Sequence, residues 1–150
     1  MAQIAKVSQK VQLRSSGHKF YELLKNKMDF VFQMFPEVYK SWKVLEGNGL
    51  AHGSIIYLKY DVDGLSEAKE RLAIDDANKS ITFECLEGDL FRDFEVFKLK
   101  IEVVENGSNG CSSNWSIEYV KANEDVAPPH NYLIIAAKIS KGIDDYLCKN

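Results

Sequence analysis

The chain has 150 residues, 45% of them hydrophobic and 27% charged, the balance of a globular domain with a sizeable core. Its 19 Lys and Arg against 22 Asp and Glu leave a net charge of −3, which argues against the basic stripe a nucleic-acid partner needs. Apolar runs are only a few residues long, which argues against stable membrane insertion, and Met1 to Lys6 carries no apolar signal core.

Residues 3–13 alternate weakly through Ile4, Val7, Val11 and Leu13 and read as a first strand. Ser15 or Ser16 can cap a helix, and Phe20, Leu23 and Leu24 form its apolar stripe. A second short helix over about residues 27–34 carries Met28, Val31 and Met34, and Pro36 stops it. Six strands follow, at 38–45, 54–60, 66–75, 80–87, 91–104 and 112–121. Asp63-Gly64 and the stretch from Asn106-Gly107 to Gly110 are hairpin turns. After Pro128 and Pro129 a long helix spans about 130–148. Its apolar face carries Tyr132, Ile135, Ala136, Ile139, Ile143 and Tyr146, while Lys138, Lys141, Asp144 and Asp145 fall on the wet face. The order strand, two short helices, six strands, long helix is an α+β fold with an antiparallel sheet.

The strands alternate cleanly enough to assign an inner face to five of them. Those rows are Ile56, Leu58 and Tyr60; Ala68, Glu70, Leu72 and Ile74; Ile81, Phe83 and Cys85; Phe97, Leu99 and Ile101; and Trp115, Ile117 and Tyr119. In 38–45 either Val38, Trp42 and Val44 face inward, or Tyr39 and Leu45 do. Alternation by itself predicts a core and nothing more.

Several segments carry a likeness to a known family: Leu45-Glu46-Gly47-Asn48-Gly49 with Gly53-Ser54, Tyr60-Asp61-Val62-Asp63-Gly64, and Leu86-Glu87-Gly88-Asp89-Leu90. Ile117-Glu118-Tyr119 with Asn123 to Val126 and Pro128, and Lys141-Gly142-Ile143-Asp144-Asp145-Tyr146-Leu147, complete the set. In this order they resemble the plant Bet v 1 superfamily of pathogenesis-related class 10 proteins, and more narrowly its major latex protein branch, over essentially the whole chain. The resemblance implies one domain over residues 1–150, with a seven-stranded antiparallel sheet wrapped around the C-terminal helix (a helix-grip, START-like fold). It also implies an internal cavity for a small hydrophobic or amphipathic molecule, steroid-, flavonoid-, alkaloid- or lipid-like. The five strand rows and the helix residues Tyr132, Ile135, Ala136, Ile139 and Ile143 would form its wall. A role in defence or stress response, and a monomeric or weakly dimeric state, are the matching expectations. An enzyme of specialised metabolism, of isomerase or condensing type, is the alternative.

Within that frame few residues suggest chemistry. The loop with Gly47, Gly49, His52 and Gly53 is glycine-rich, but a phosphate-binding loop ends in Gly-Lys-Ser/Thr and opens a helix. This one ends in Gly53-Ser54 and opens a strand, so it reads as a rigid connection, with His52 either structural or at a cavity mouth. Glu70 is in phase with Leu72 and Ile74, so it is either a buried carboxyl needing a partner or a group at a wet strand end. His18, His52 and His130 share no motif with a nucleophile or a metal ligand, and Cys85, Cys111 and Cys148 form no CxxC pair. No catalytic residue, metal or cofactor is expected, and the cysteine pattern suggests a reduced, cytoplasmic protein.

Overall fold

The computed structural model, which describes residues 3–149, runs β1 (Ala5–Leu13), α1 (Gly17–Asn26), α2 (Met28–Met34), β2 (Tyr39–Glu46), β3 (Ile55–Asp61), β4 (Leu65–Asp75), β5 (Ser80–Gly88), β6 (Phe94–Glu105), β7 (Cys111–Lys121) and α3 (His130–Cys148). The seven strands form one antiparallel sheet in the order β1-β7-β6-β5-β4-β3-β2. Period-2 patterning directs one apolar face of that sheet toward α3 and the two short helices, and the buried side chains of all three layers join in a single cluster.

The turns follow their sequence signals. Asp63 (φ 57°) and Gly64 (φ 124°) make the β3–β4 hairpin. Ser16 caps α1 by accepting from the Lys19 N–H at 3.2 Å, and the Glu105 carboxylate accepts from the Gly17 N–H at 2.6 Å. Ser15 has a different task, described below.

Two local expectations are corrected, and the open question of β2 is answered. The strand expected from residue 91 begins at Phe94, because Asp89–Arg92 form one turn of 3-10 helix between β5 and β6. That turn follows Gly88, whose φ of 131° lets the backbone pass where a Cβ would sit 2.3 Å from the Glu67 carbonyl oxygen. In β2 a register shift between Tyr39 and Ser41 breaks the alternation. Tyr39 and Trp42 therefore both pack on the Phe32 ring, at 4.5 and 5.4 Å, while Leu45 is exposed. Asp144, expected on the wet face of the long helix, is buried: its carboxylate accepts from the backbone N–H groups of Arg14 (3.0 Å) and Ser15 (2.9 Å) and from the Ser15 hydroxyl (2.6 Å). It ties the end of α3 to the β1–α1 connection. Nearby, Gly142 brings α3 so close to Phe35 that an added Cβ would lie 2.7 Å from the ring.

Candidate ligand cavity

Between the sheet and the helices lies a cavity of about 90 Å³. The sheet contributes Leu58, Tyr60, Glu70, Ile81, Phe83, Phe97, Leu99, Ile101 and Trp115, and α3 contributes Tyr132, Ile135, Ala136 and Ile139. All of these belong to the rows read from alternation. Ile56, Leu72, Cys85, Ile117, Tyr119 and Ile143 are buried, and Ile74 is partly buried, but none reaches the cavity. Beside Ile143, Asp144 ties the end of α3 to the β1–α1 connection.

The glycine-rich loop is also off the wall, since none of Gly47, Gly49, His52 and Gly53 lines the cavity. The His52 Nδ1 accepts from the Ile74 N–H at 2.9 Å, pinning the loop to β4. In the other direction, sequence reasoning missed Leu24, Met28, Val31 and Phe32 of α1 and α2, together with Val62 and Leu90, and left Val38 and Tyr39 open. The apolar stripes of the short helices were visible, but a stripe does not say which layer it will meet.

Polar atoms on this wall are few. Tyr60 and Tyr132 join hydroxyls at 3.0 Å, linking β3 to α3. Burial pushes the Tyr60 phenol up, and pushes Tyr132 up to about 12, so both stay protonated at neutral pH. Trp115 donates its Nε1–H to Ser140 Oγ at 2.8 Å, and Ser113 Oγ donates to the same oxygen at 2.9 Å, so that corner is satisfied. Glu70 is different. It is only 7% exposed, it lines the cavity, and among the described residues it has neither a hydrogen bond nor an ion pair. Burial pushes its carboxyl up to about 7. Its cross-strand neighbours are Ile56 on β3 and Cys85 on β5, and a bulge at Leu86 interrupts the ladder beside it.

The cavity adjoins a surface cleft through Val62, Leu90 and Tyr132, which line both. The cleft is formed by the β3–β4 hairpin, the 3-10 turn and the segment before α3. Among the described residues no cluster of His, Cys, Asp and Glu could hold a metal ion, and no helix is long and apolar enough to cross a membrane.

A seven-stranded sheet of this order, gripping one long helix over a walled cavity, directs comparison with known proteins. The model of the pathogenesis-related protein Bet v 1 family matches residues 2–150. The chain belongs to the Bet v 1 family. Within it the chain falls in the major latex-like branch. It is 32% identical over 147 residues to MLP-like protein 43 of Arabidopsis thaliana, covering 96% of this chain and 93% of that protein. MLP-like protein 34 of the same plant is 36% identical over 140 residues, but the chain spans only 44% of its length. Among solved structures, the ginseng major latex-like protein 151 of Panax ginseng superposes with a TM-score of 0.87 at 30% identity, covering 95% of this chain and 97% of that one. Norcoclaurine synthase from Thalictrum flavum shares the Bet v 1 fold (TM-score 0.82, covering 99% of this chain and 89% of its own) at 14% identity, which is a likeness of fold alone.

Proposed function

We propose that this Bet v 1 family member binds a small hydrophobic or amphipathic molecule reversibly in the cavity between sheet and α3. It would act as a cytoplasmic carrier or store in plant defence or stress response. The observation that supports this reading is the cavity wall, apolar nearly throughout, with a polar minority of tyrosine hydroxyls and one carboxyl. Small-molecule pockets have this make-up: apolar area gives affinity, about 25 cal/mol per Å² buried, and a few polar groups give orientation. At about 90 Å³, the cavity suits a guest no larger than a single ring. A larger guest must push apart the side chains at the mouth, where Tyr132 and Leu90 stand. Such adjustable walls favour micromolar to submicromolar binding of several guests over tight binding of one.

A second reading has one observation in its favour. A buried carboxyl that titrates near neutrality is suited to proton transfer, so Glu70 could serve an isomerase or condensing enzyme as acid–base group. His52 lies off the cavity wall, its Nδ1 held by the Ile74 N–H.

Native mass spectrometry of the protein purified from its own tissue tests the first reading. A retained small-molecule mass is the expected result. No retained mass, together with no saturable uptake of a neutral dye such as Nile red, would overturn it. Replacing Glu70 with Gln separates the readings: a binder keeps its affinity for a neutral guest, whereas an enzyme loses turnover by orders of magnitude.

A further inference from the structure

Glu70 poses a specific question of chemistry. A buried carboxyl normally has a partner, because an unpaired acceptor forfeits the full cost of leaving water. Glu70 is more than nine-tenths buried, lines the cavity, and has none among the described residues. The phenols that face it, Tyr39, Tyr60 and Tyr132, make no hydrogen bond to it. Tyr60 and Tyr132 bond each other, Ile56 and Cys85 flank it on the adjacent strands, and the Cys85 thiol is turned to the Glu87 carbonyl oxygen at 3.5 Å. A donor on whatever fills the cavity would supply the bond that these side chains do not make.

Charge around the cavity specifies the donor further. Among the described residues no lysine, arginine or histidine lines the cavity or the adjoining cleft, whereas four carboxylates, Asp63, Asp89, Asp93 and Asp125, line the cleft. Of these Asp89 has a cation at hand, Arg92 at 2.9 Å. A path that passes several acids and ends on another raises the local concentration of cations and excludes anions. We infer that the guest is an amphipathic amine, with a one-ring apolar body against Ile101, Leu99 and Ala136 and a protonated nitrogen donating to the Glu70 carboxylate. This rests on the cavity reading above and adds to it the charge and the orientation of the guest.

The test uses three probes of one shape: phenethylamine, phenethyl alcohol and hydrocinnamate, each displacing Nile red from the wild-type protein and from Glu70→Gln. At pH 8 the amine should bind wild type about tenfold more tightly than the alcohol, since a charge-assisted hydrogen bond exceeds a neutral one by roughly that margin. The acid should bind most weakly. In Glu70→Gln the amine's advantage should vanish while affinity for the alcohol stays within about twofold, a Gln amide still offering a neutral acceptor.

A pH series on the unmodified protein gives a second readout that does not depend on the variant folding. The ionisable groups facing Glu70 are Tyr39, Tyr60, Tyr132 and Cys85, all pushed upward by burial, with the cleft acids Asp63, Asp89, Asp93 and Asp125 beyond them. An alkylammonium, like that of lysine, stays protonated through neutral pH. The amine's advantage should therefore shrink as pH falls from 8 to 6 and Glu70 takes up a proton. If alcohol and dye bind but the amine shows no advantage, or keeps it in Glu70→Gln, or keeps it unchanged at pH 6, the amine assignment is overturned and the cavity reading stands. If neither alcohol nor dye binds, both fall together.

Discussion

The hydroxyls of Tyr60 and Tyr132 meet at 3.0 Å, and this single bond joins β3, next to the sheet's edge strand, to the first turn of α3 beside the cavity mouth. Each ring also stands edge-on to the other, with centroids 6.1 Å apart. Removing one hydroxyl strands the other in an apolar wall. Tyr132→Phe or Tyr60→Phe should each cost about 1–2 kcal/mol of stability, whereas the double variant should cost little more than either single change. Urea unfolding of the four proteins measures the coupling, and strict additivity would disprove the link.

Glu70 should make stability pH-dependent in an unusual direction. Its folded-state value is raised by burial to about 7, so its contribution is fully present below the ordinary carboxyl range and is lost as pH rises through 7. The loss is of order 3 kcal/mol. Glu70→Gln should remove this slope and be the more stable protein at pH 8, which thermal melts at pH 5 and pH 8 would show.

Asp144 should act in the opposite direction. Burial alone would raise its carboxyl, but the hydrogen bonds from Ser15 and Arg14 outweigh that and hold it below the usual carboxylate range. Its contribution is present above the normal unfolded value and is lost as pH falls through the depressed one. Asp144→Ala leaves Ser15 and its backbone N–H without an acceptor and frees the end of α3, at a cost of about 2–4 kcal/mol. Acid and urea unfolding, compared with wild type, check both statements.

Ala136 lies on α3 against the cavity. Ala136→Phe should fill much of the 90 Å³ void, abolish Nile red uptake, and lower stability by about 1–3 kcal/mol through crowding. Retained uptake at wild-type affinity would mean that dye binds elsewhere.

Gly88→Ala should be costlier than its position near the surface suggests. The residue holds φ at 131°, and a Cβ there would press on the Glu67 carbonyl oxygen. A loss of about 2–4 kcal/mol is expected, with the β4–β5 pairing of Ala68 and Gly88 the first to loosen in hydrogen exchange.

Much of the architecture was legible in the residues. In β3 and β4 burial alternates along the strand, and Ile56, Leu58 and Tyr60 and then Ala68, Glu70 and Leu72 face inward as read. Where alternation broke, so did the reading. The register shift at Tyr39 puts side chains from both candidate faces of β2 on Phe32, an outcome that no single phase describes. Asp144 looked wet because the residues that bury it, Arg14 and Ser15, are 129 or more positions away along the chain. Several segments that carried the family likeness owe their residue choices to packing: Gly88 to the Glu67 carbonyl, Gly142 to Phe35, Asp144 to Ser15.

By itself, the sequence determined the order of elements, the inner face of most strands and the family, because side-chain period and turn chemistry are local properties of the chain. Whether the inner faces meet or stand apart was decided by tertiary structure alone. Period 2 says that Ile56 and Leu58 face the same way; only the placement of α1, α2 and α3 leaves Leu58 on a cavity and Ile56 in solid packing. The same closure from above turns Glu70 from an in-phase acid on a strand into a buried carboxyl without a partner, since burial depends on the layer opposite and not on the strand that bears it.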